Sequence, residues 1–392
     1  MPLSGMTNST QNYEGALSRT PDIEYVGAKD YRYRQDDFFA ANTIQAASFY
    51  AAPKGYLDKL DHIKGHVLIN NARKNEEREY AAAHDYKMYK SGKQQHIKTY
   101  FGEKEAWIPS GNLSGPYVNG EETALQGVSP LDRATHFTDN LLNVSKLPDT
   151  IDTGILVKGK AYAAYKQVLE DAYNFNVKER YSISAGVSVV RGDVATKTIA
   201  NTLNLAKKGD EVYFSRAFTP HSSLDPALMS AAKRGVRVNV ITNSPTDRNV
   251  GDLKSQQDLR AAGVKLAYSK KIFAHLKDFS ITGSENITIT GSTNYTNADY
   301  KNSTADVSLV VEGAGTFSSQ VKSNLKLVFD AFNKAKVVVV DGRYQSSEFG
   351  FLFKTAYGSV ESRSYGTIQS GSEETGYIKS TKLNEDFFDR HI

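Results

Sequence analysis

His96 and Lys98 stand two residues apart, and His275 and Lys277 repeat that spacing about 180 residues later. Behind the first pair comes Pro109-Ser110-Gly111-Asn112, and behind the second comes Gly291-Ser292-Thr293-Asn294. Residues i and i+2 of an extended strand share a face, because side chains alternate. The apolar runs Ala106-Trp107-Ile108 and Ile287-Thr288-Ile289 separate each His-x-Lys from its Ser and Asn. Each copy therefore reads as a hairpin that gathers one imidazole, one ammonium, one hydroxyl and one amide. Two such clusters facing each other make a symmetric pocket suited to an oxyanion such as a phosphate diester. A neutral imidazole can attack phosphorus. A protonated one can supply the leaving alkoxide and later deprotonate water or an alcohol. Lys98 and Lys277 add point charges, while Asn112, Asn294, Ser110 and Ser292 offer further donors.

Those residues need elements to hold them. In the first part of the chain, Tyr56–Lys64 reads as a helix ended by Gly65, Val67-Leu68-Ile69 as a buried strand, and Glu76–Tyr89 as a helix stopped at Ser91-Gly92. Residues 113–150 are rich in Gly, Pro, Asn and Ser and read as a long functional loop or insertion. Ile155-Leu156-Val157 reads as a strand and Ala161–Tyr173 as an amphipathic helix. Strands and helices then alternate: Val187–Val190, Ala195–Ala206, Glu211–Phe214, Pro226–Lys233, Val236–Ile241, Asp252–Ala262 and Val264–Tyr268, with Gly235 and Gly263 as helix ends. Such alternation predicts an α/β layered fold. Residues 336–392 open on the run Lys336–Val340, read as an edge strand, and become rich in Ser, Gly, Tyr and Glu.

The order of elements repeats. Leu60–Ile69 parallels Met229–Val238 before the clusters, and Asp152–Gly159 parallels Asp306–Gly313 after them. A helix follows in both copies, ending in Glu170-Asp171-Ala172-Tyr173-Asn174 and Phe329-Asp330-Ala331-Phe332-Asn333. Helix, strand, cluster, acidic residue, strand and helix recurring in one order indicate an internal duplication.

On these residues the chain resembles the phospholipase D superfamily, whose signature, present twice, is HxK, an acidic residue and GSxN. The resemblance covers roughly residues 40–335. It implies an α/β fold of two pseudo-symmetric phospholipase D-like halves, each a mixed β-sheet flanked by helices, with the active site at their interface. The expected layout is a flexible tail over 1–21, a first half over 22–182, a second over 183–335 and a C-terminal strand and extension over 336–392. The resemblance further implies phosphodiester cleavage or transfer through a phosphohistidine, with no metal and no cofactor. His96 would be the nucleophile and His275 the general acid, the reverse assignment staying open. Lys98, Lys277, Ser110, Ser292, Asn112 and Asn294 would line the phosphate. Asp152 and Asp306, where the family places an acidic residue after the motif, would hold the imidazole Nδ1–H groups. The pattern departs from the family in three places. Glu103 takes the first motif's acidic position; Thr282 takes the second's, with Asp278 directly after Lys277, where it cannot substitute; and Pro109 stands where Gly is usual. His275 and Gly291 are also two residues further apart than the pattern has them.

A phospholipid is the leading substrate class, with peripheral membrane contact. Leu113, Tyr117, Val118, Leu125 and Phe137 supply apolar side chains near the motif. A nuclease on the same scaffold is the alternative, disfavoured because Lys87, Lys90, Lys93, Lys270 and Lys271 are dispersed rather than joined in a basic groove. A non-catalytic binding protein with a degenerate pocket is a third reading. A net charge of +4 over 392 residues fits an anionic substrate without demanding nucleic acid. Cysteine is absent, which excludes disulfides, thiolate metal sites and cysteine nucleophiles. No tight metal-ligand spacing, signal peptide or membrane-spanning run is visible, so a cytoplasmic location or export by a signal-less route is expected. His62, His66, His84, His136 and His391 read as surface or core residues; His221, after the run Tyr213–Phe218, is placed near the pocket rim.

Overall fold

The computed structural model describes residues 22–49, 66–69, 87–88, 94–111, 150–218, 220–243, 250–269, 273–302, 304–334, 337–340, 343–346, 367–368 and 378–379. The expected tail 1–21, the helix over 56–64, Asn112 and the segment 113–149 lie outside the described residues.

The first half runs β1 (Ile23–Val26), α1 (Tyr31–Ala41), β2 (Ala46–Phe49), β3 (Val67–Ile69), β4 (Lys87–Met88), β5 (Gln94–Gln95), β6 (Thr99–Phe101), β7 (Glu105–Pro109), β8 (Thr150–Ile151), β9 (Gly154–Lys158) and α2 (Gly159–Tyr173). The second opens with β10 (Arg180–Ser184), β11 (Val187–Arg191), α3 (Gly192–Leu205), β12 (Glu211–Ser215), α4 (Leu224–Lys233), β13 (Arg237–Asn243), α5 (Val250–Ala261) and β14 (Lys265–Ser269). It continues with β15 (Phe273–Ala274), β16 (Phe279–Thr282), β17 (Ile287–Gly291), α6 (Asn297–Tyr300), β18 (Thr304–Ala305), β19 (Val307–Glu312) and α7 (Thr316–Lys334).

Two mixed sheets result. Their strand orders are β1-β9-β7-β6-β2-β3-β4 and β10-β11-β19-β17-β16-β12-β13-β14. Without β10, the two orders correspond strand for strand, and so do the directions. β2–β3–β4 and β12–β13–β14 pair in parallel; the other neighbours in each sheet are antiparallel. The duplication expected from element order is thus present as repeated topology.

Sheet faces explain the apolar runs. In β19, Leu309 and Val311 join one buried cluster and Val310 another. Both faces of the second sheet are therefore covered, which is why its strands read as continuous apolar runs rather than alternating ones. The first cluster contains Ile97, Ile108, Ile155 and Val157 of the first half with Val189 and Leu309 of the second, plus Tyr165 and Leu169 of α2 and Val321, Leu325 and Val328 of α7. The i, i+3/i+4/i+7 spacing of those helical residues puts them on one stripe. A single core therefore joins the two halves and holds the face between them.

Several expectations are corrected. Lys87 and Met88 form β4 beside β3, so a helix does not reach Tyr89. The strand Val337–Val340 (β20) pairs with Arg343–Ser346 (β21) in a two-stranded sheet of its own, not at the edge of a large sheet, and Thr367–Ile368 (β22) pairs likewise with Ile378–Lys379 (β23). The short strand β1 and helix α1 were not foreseen; α1 buries Tyr31, Gln35, Phe38 and Phe39 within a segment whose Arg and Asp content hides its apolar stripe.

Candidate active site

Two very short parallel ladders join the halves. β5 pairs with β18, setting Gln95 opposite Ala305, and β15 pairs with β8, setting Ala274 opposite Ile151. The next residue along each strand is a histidine on one side and an aspartate on the other. His96 N–H donates to the Ala305 carbonyl at 2.9 Å and His275 N–H to the Ile151 carbonyl at 2.8 Å. Parallel strands ending in step thus bring each imidazole beside a carboxylate of the opposite half. Nδ1 of His96 lies 2.9 Å from Oδ1 of Asp306, and Nδ1 of His275 lies 2.8 Å from Oδ1 of Asp152. Facing a carboxylate acceptor, both rings carry their proton on Nδ1.

The His-x-Lys segments themselves lie between strands, not within one as the spacing predicted: 96–98 link β5 to β6, and 275–278 link β15 to β16. Their backbone is held by neighbours. Ser48 of β2 and Ser215 of β12 donate to the carbonyls of Ile97 and Leu276 at 3.0 and 3.1 Å, and Tyr295 OH donates to the Lys277 carbonyl at 2.6 Å. Lys98 and Lys277 are fully buried and donate to the His96 and His275 carbonyls at 2.8 and 2.7 Å.

Ser110 and Ser292 play a different part from the one expected. Ser110 Oγ donates to Asp152 Oδ1 at 2.8 Å and Ser292 Oγ to Asp306 Oδ1 at 2.6 Å. Their hydroxyl protons are spent on the carboxylates, so they fix the partners of the imidazoles instead of pointing a donor at a ligand. Gly111 makes this possible: a Cβ there would lie 2.4 Å from the Asp152 carboxyl. In the second copy the close approach falls two positions earlier in the motif. A Cβ on Gly291 would stand 2.5 Å from the Val307 carbonyl oxygen.

The electrostatics are dominated by burial. Desolvation, with the charge of Lys277 added to it, pulls Lys98 down to about 7 against the pull of Asp306, and desolvation takes Lys277 to about 8. Burial and then both lysines hold His96 well below its ordinary value; burial and then Lys277 bring His275 to about 4. These shared influences put two imidazoles and two ammonium groups in one cluster. The carboxylates differ. Burial pushes Asp152 up, but His275, Lys277 and Ser110 outweigh it and hold the group below the usual carboxylate range. Burial raises Asp306 to about 6 despite Lys98. The His96 and His275 side chains are only 11% and 12% exposed, and the two lysines beside them are fully buried.

The remaining expected residues divide. Asn294 has a buried amide oxygen with no hydrogen-bond partner among the described residues. Glu103 is exposed in the β6–β7 turn and takes no part in the buried cluster. Thr282 accepts from Lys322 at 2.9 Å at the end of β16. Asp278 is fully buried and accepts from Tyr25 at 2.7 Å and from Thr153 at 3.3 Å, while Asn324 donates to Tyr25 at 2.9 Å. This network ties β1 and α7 to the floor of the site, and nothing in the spacing of Tyr25 or Asn324 announces it. In the β12–α4 loop, Phe218 is 43% exposed and its ring stands nearly perpendicular to that of His275, with centroids 6.5 Å apart. His221 stacks on Tyr300 at 3.7 Å. His66 stacks on Tyr173 and pairs with Glu170 at 2.7 Å. Asp299, buried beside Asp306, was missed; its only sequence signal is the Thr296-x-x-Asp299 capping box that starts α6.

A family profile described as cardiolipin synthase, PLD-like domain, matches residues 199–328. None of the curated proteins compared matches the chain. Among solved structures, phosphatidylserine synthase of Haemophilus influenzae Rd KW20 aligns with a TM-score of 0.54 at 11% identity, covering 78% of this chain and 86% of that one. Polyphosphate kinase from Porphyromonas gingivalis aligns at 0.48 and 12% identity over 78% and 46% of the two chains. Nuc, a phospholipase D family member from Salmonella typhimurium, aligns at 0.31 and 19% identity over 38% and 92%. Residues 199–328 of the second half thus match a phospholipase D-like domain profile, and the chain shares its fold with the synthase.

Proposed function

We propose that this protein cleaves or transfers a phosphodiester through a covalent phosphohistidine, and that its substrate is a phospholipid. The observation that carries the reading is the crosswise clamp: each half's imidazole is held by the other half's Ser-backed carboxylate, over two buried ammonium groups. Nε2 of His96 attacks phosphorus as the bond to the leaving alkoxide breaks. His275, protonated on Nε2 in the complex, gives that proton to the departing oxygen. Water or an acceptor alcohol then loses a proton to His275 and attacks phosphorus, and the P–N electron pair returns to His96. Lys98 and Lys277 oppose the charge on the equatorial oxygens from below. The unequal carboxylates support this division of labour. Ionised Asp152 favours a proton on His275, while burial and both lysines hold His96 well below its ordinary value.

The description of the matching profile, a cardiolipin synthase, supports a lipid substrate. The test is turnover of fluorescent phosphatidylcholine and of bis-nitrophenyl phosphate by wild type, His96→Ala and His275→Ala. Activity lost in both variants is expected; equal activity in all three refutes the reading. Cleavage of single-stranded DNA but not lipid would assign the site to a nuclease. Acid quenching should trap a phosphohistidine in wild type and none in His96→Ala.

A further inference from the structure

The clamp behind His96 has a second layer. Oδ1 of Asp306 accepts from both His96 Nδ1–H and Ser292 Oγ–H. Oδ2 of the same group is buried, and no N–H or hydroxyl among the described residues donates to it. Within hydrogen-bonding reach of Asp306 lies another carboxyl, Asp299. Asp306 is fully sealed and Asp299 is 2% exposed. Gly192 shows how closely they converge: a Cβ there would meet Asp306 Cβ at 3.3 Å and Asp299 Cβ at 3.5 Å. Asp299 is anchored from its own side, with Oδ2 accepting the Thr296 N–H at 2.7 Å and hydroxyl at 2.9 Å. That leaves its other oxygen for Asp306.

Two ionised carboxylates do not persist side by side in a buried site; such pairs share a proton. We propose that Asp299 is held as the neutral acid and donates its proton to Oδ2 of Asp306, so that a single negative charge backs His96. Burial, then the charge and hydrogen bond of Asp306, push Asp299 up to about 7, above the value near 6 to which burial raises Asp306. The other charged groups around the pair do not supply the missing donor. Lys98 and Lys277 act on Asp306 from the floor but give their hydrogen bonds to the His96 and His275 carbonyls. On α3, Asp193 is tied to Arg191 at 2.6 Å and Lys197 at 3.0 Å. Lys301, after α6, acts on His221.

Asp299 is a positioning residue. Its proton spreads the charge of Asp306, which still holds the His96 Nδ1–H tautomer but pulls less on the ring than Asp152 pulls on His275. The two halves, alike in topology, are thereby made unequal in basicity. That consequence rests on the phosphodiesterase reading; the shared proton does not.

Infrared titration of the full chain tests it without turnover. A carbonyl stretch of a protonated carboxylic acid is expected at about pH 6, fading as the pair ionises. In Asp299→Asn the band should be missing, because the amide donates to Asp306 without a titrating proton. In the pH profile of bis-nitrophenyl phosphate turnover, Asp299→Ala should lose about tenfold or more, and Asp299→Asn should recover most of that loss without the ionisation near 7. A wild type with no such band at about pH 6, or an unchanged band in Asp299→Asn, overturns the proposal. If no phosphodiester is turned over, the previous reading falls and the infrared band still decides this one.

Discussion

Binding of an anion at this site should be a proton-uptake event. Lys98 and Lys277 hold their protons loosely, at about 7 and about 8, because burial penalises the ammonium form; burial and Lys277 hold His275 at about 4. A phosphodiester monoanion about 4 Å from these groups adds roughly 4 kcal/mol of attraction at an effective dielectric of about 20, or about 3 pKa units. His275 then rises to about 7, and both lysines move well above neutrality. At about pH 7 the complex should take up about one proton, shared between Lys98 and His275. The sign for affinity follows: it falls as pH rises through 7 to 8, because the free protein must first regain its ammonium protons. Titration calorimetry with dimethyl phosphate, which does not itself titrate near neutrality, measures this in buffers of different ionisation enthalpy. The slope of heat against buffer enthalpy should be about one at about pH 7 and about half that in His275→Ala. A slope of zero, or an affinity unchanged between about pH 7 and 9, would show that the cluster is not a proton-coupled anion site.

Other outcomes follow from single contacts. Asp152→Asn should lower kcat by about 10³-fold or more with little change in KM, because an amide beside Nδ1 favours the wrong imidazole tautomer; steady-state kinetics of bis-nitrophenyl phosphate read it. Lys98→Met should abolish turnover yet raise stability by about 1–3 kcal/mol at about pH 6. The folded value of Lys98, about 7, lies below its unfolded 10.5, so the penalty is fully present below 7 and fades as pH rises through that window. Urea midpoints at about pH 6 and 9 should therefore converge on the alkaline side. Tyr25→Phe should cost about 1–3 kcal/mol, since it strips a donor from buried Asp278 and an acceptor from Asn324. Denaturant unfolding measures that loss; an unchanged midpoint would mean that this network does not hold the halves together.

Much of the second half was legible because its strands and helices announce themselves locally. Val187–Arg191, Glu211–Ser215 and Arg237–Asn243 are apolar runs buried on both faces, and Gly235 and Gly263, at φ of +88° and +92°, end helices where a Cβ would be strained. The first half was less legible. β1 has four residues and β4 two, too few to show a period. Ser110 and Ser292 were misread because a hydroxyl carries no record of which acceptor it meets, and two ladders place them against Asp152 and Asp306. Asp299 reads as an N-terminal helix residue, which it is; its nearness to Asp306 depends on the packing of α6 beside α3 and Gly192.

The amino-acid sequence by itself determined the chemical inventory, two His-x-Lys pairs, and the duplicated order of elements around them, because identity and spacing are local properties. Tertiary structure alone decided the partnership across the halves. Asp152 belongs to His275 and Asp306 to His96, over separations of 123 and 210 residues, because β8 with β15 and β5 with β18 end in step as parallel pairs. It also decided the charge states. A lysine's spacing says nothing of its desolvation, and it is burial that brings Lys98 and Lys277 within reach of neutrality.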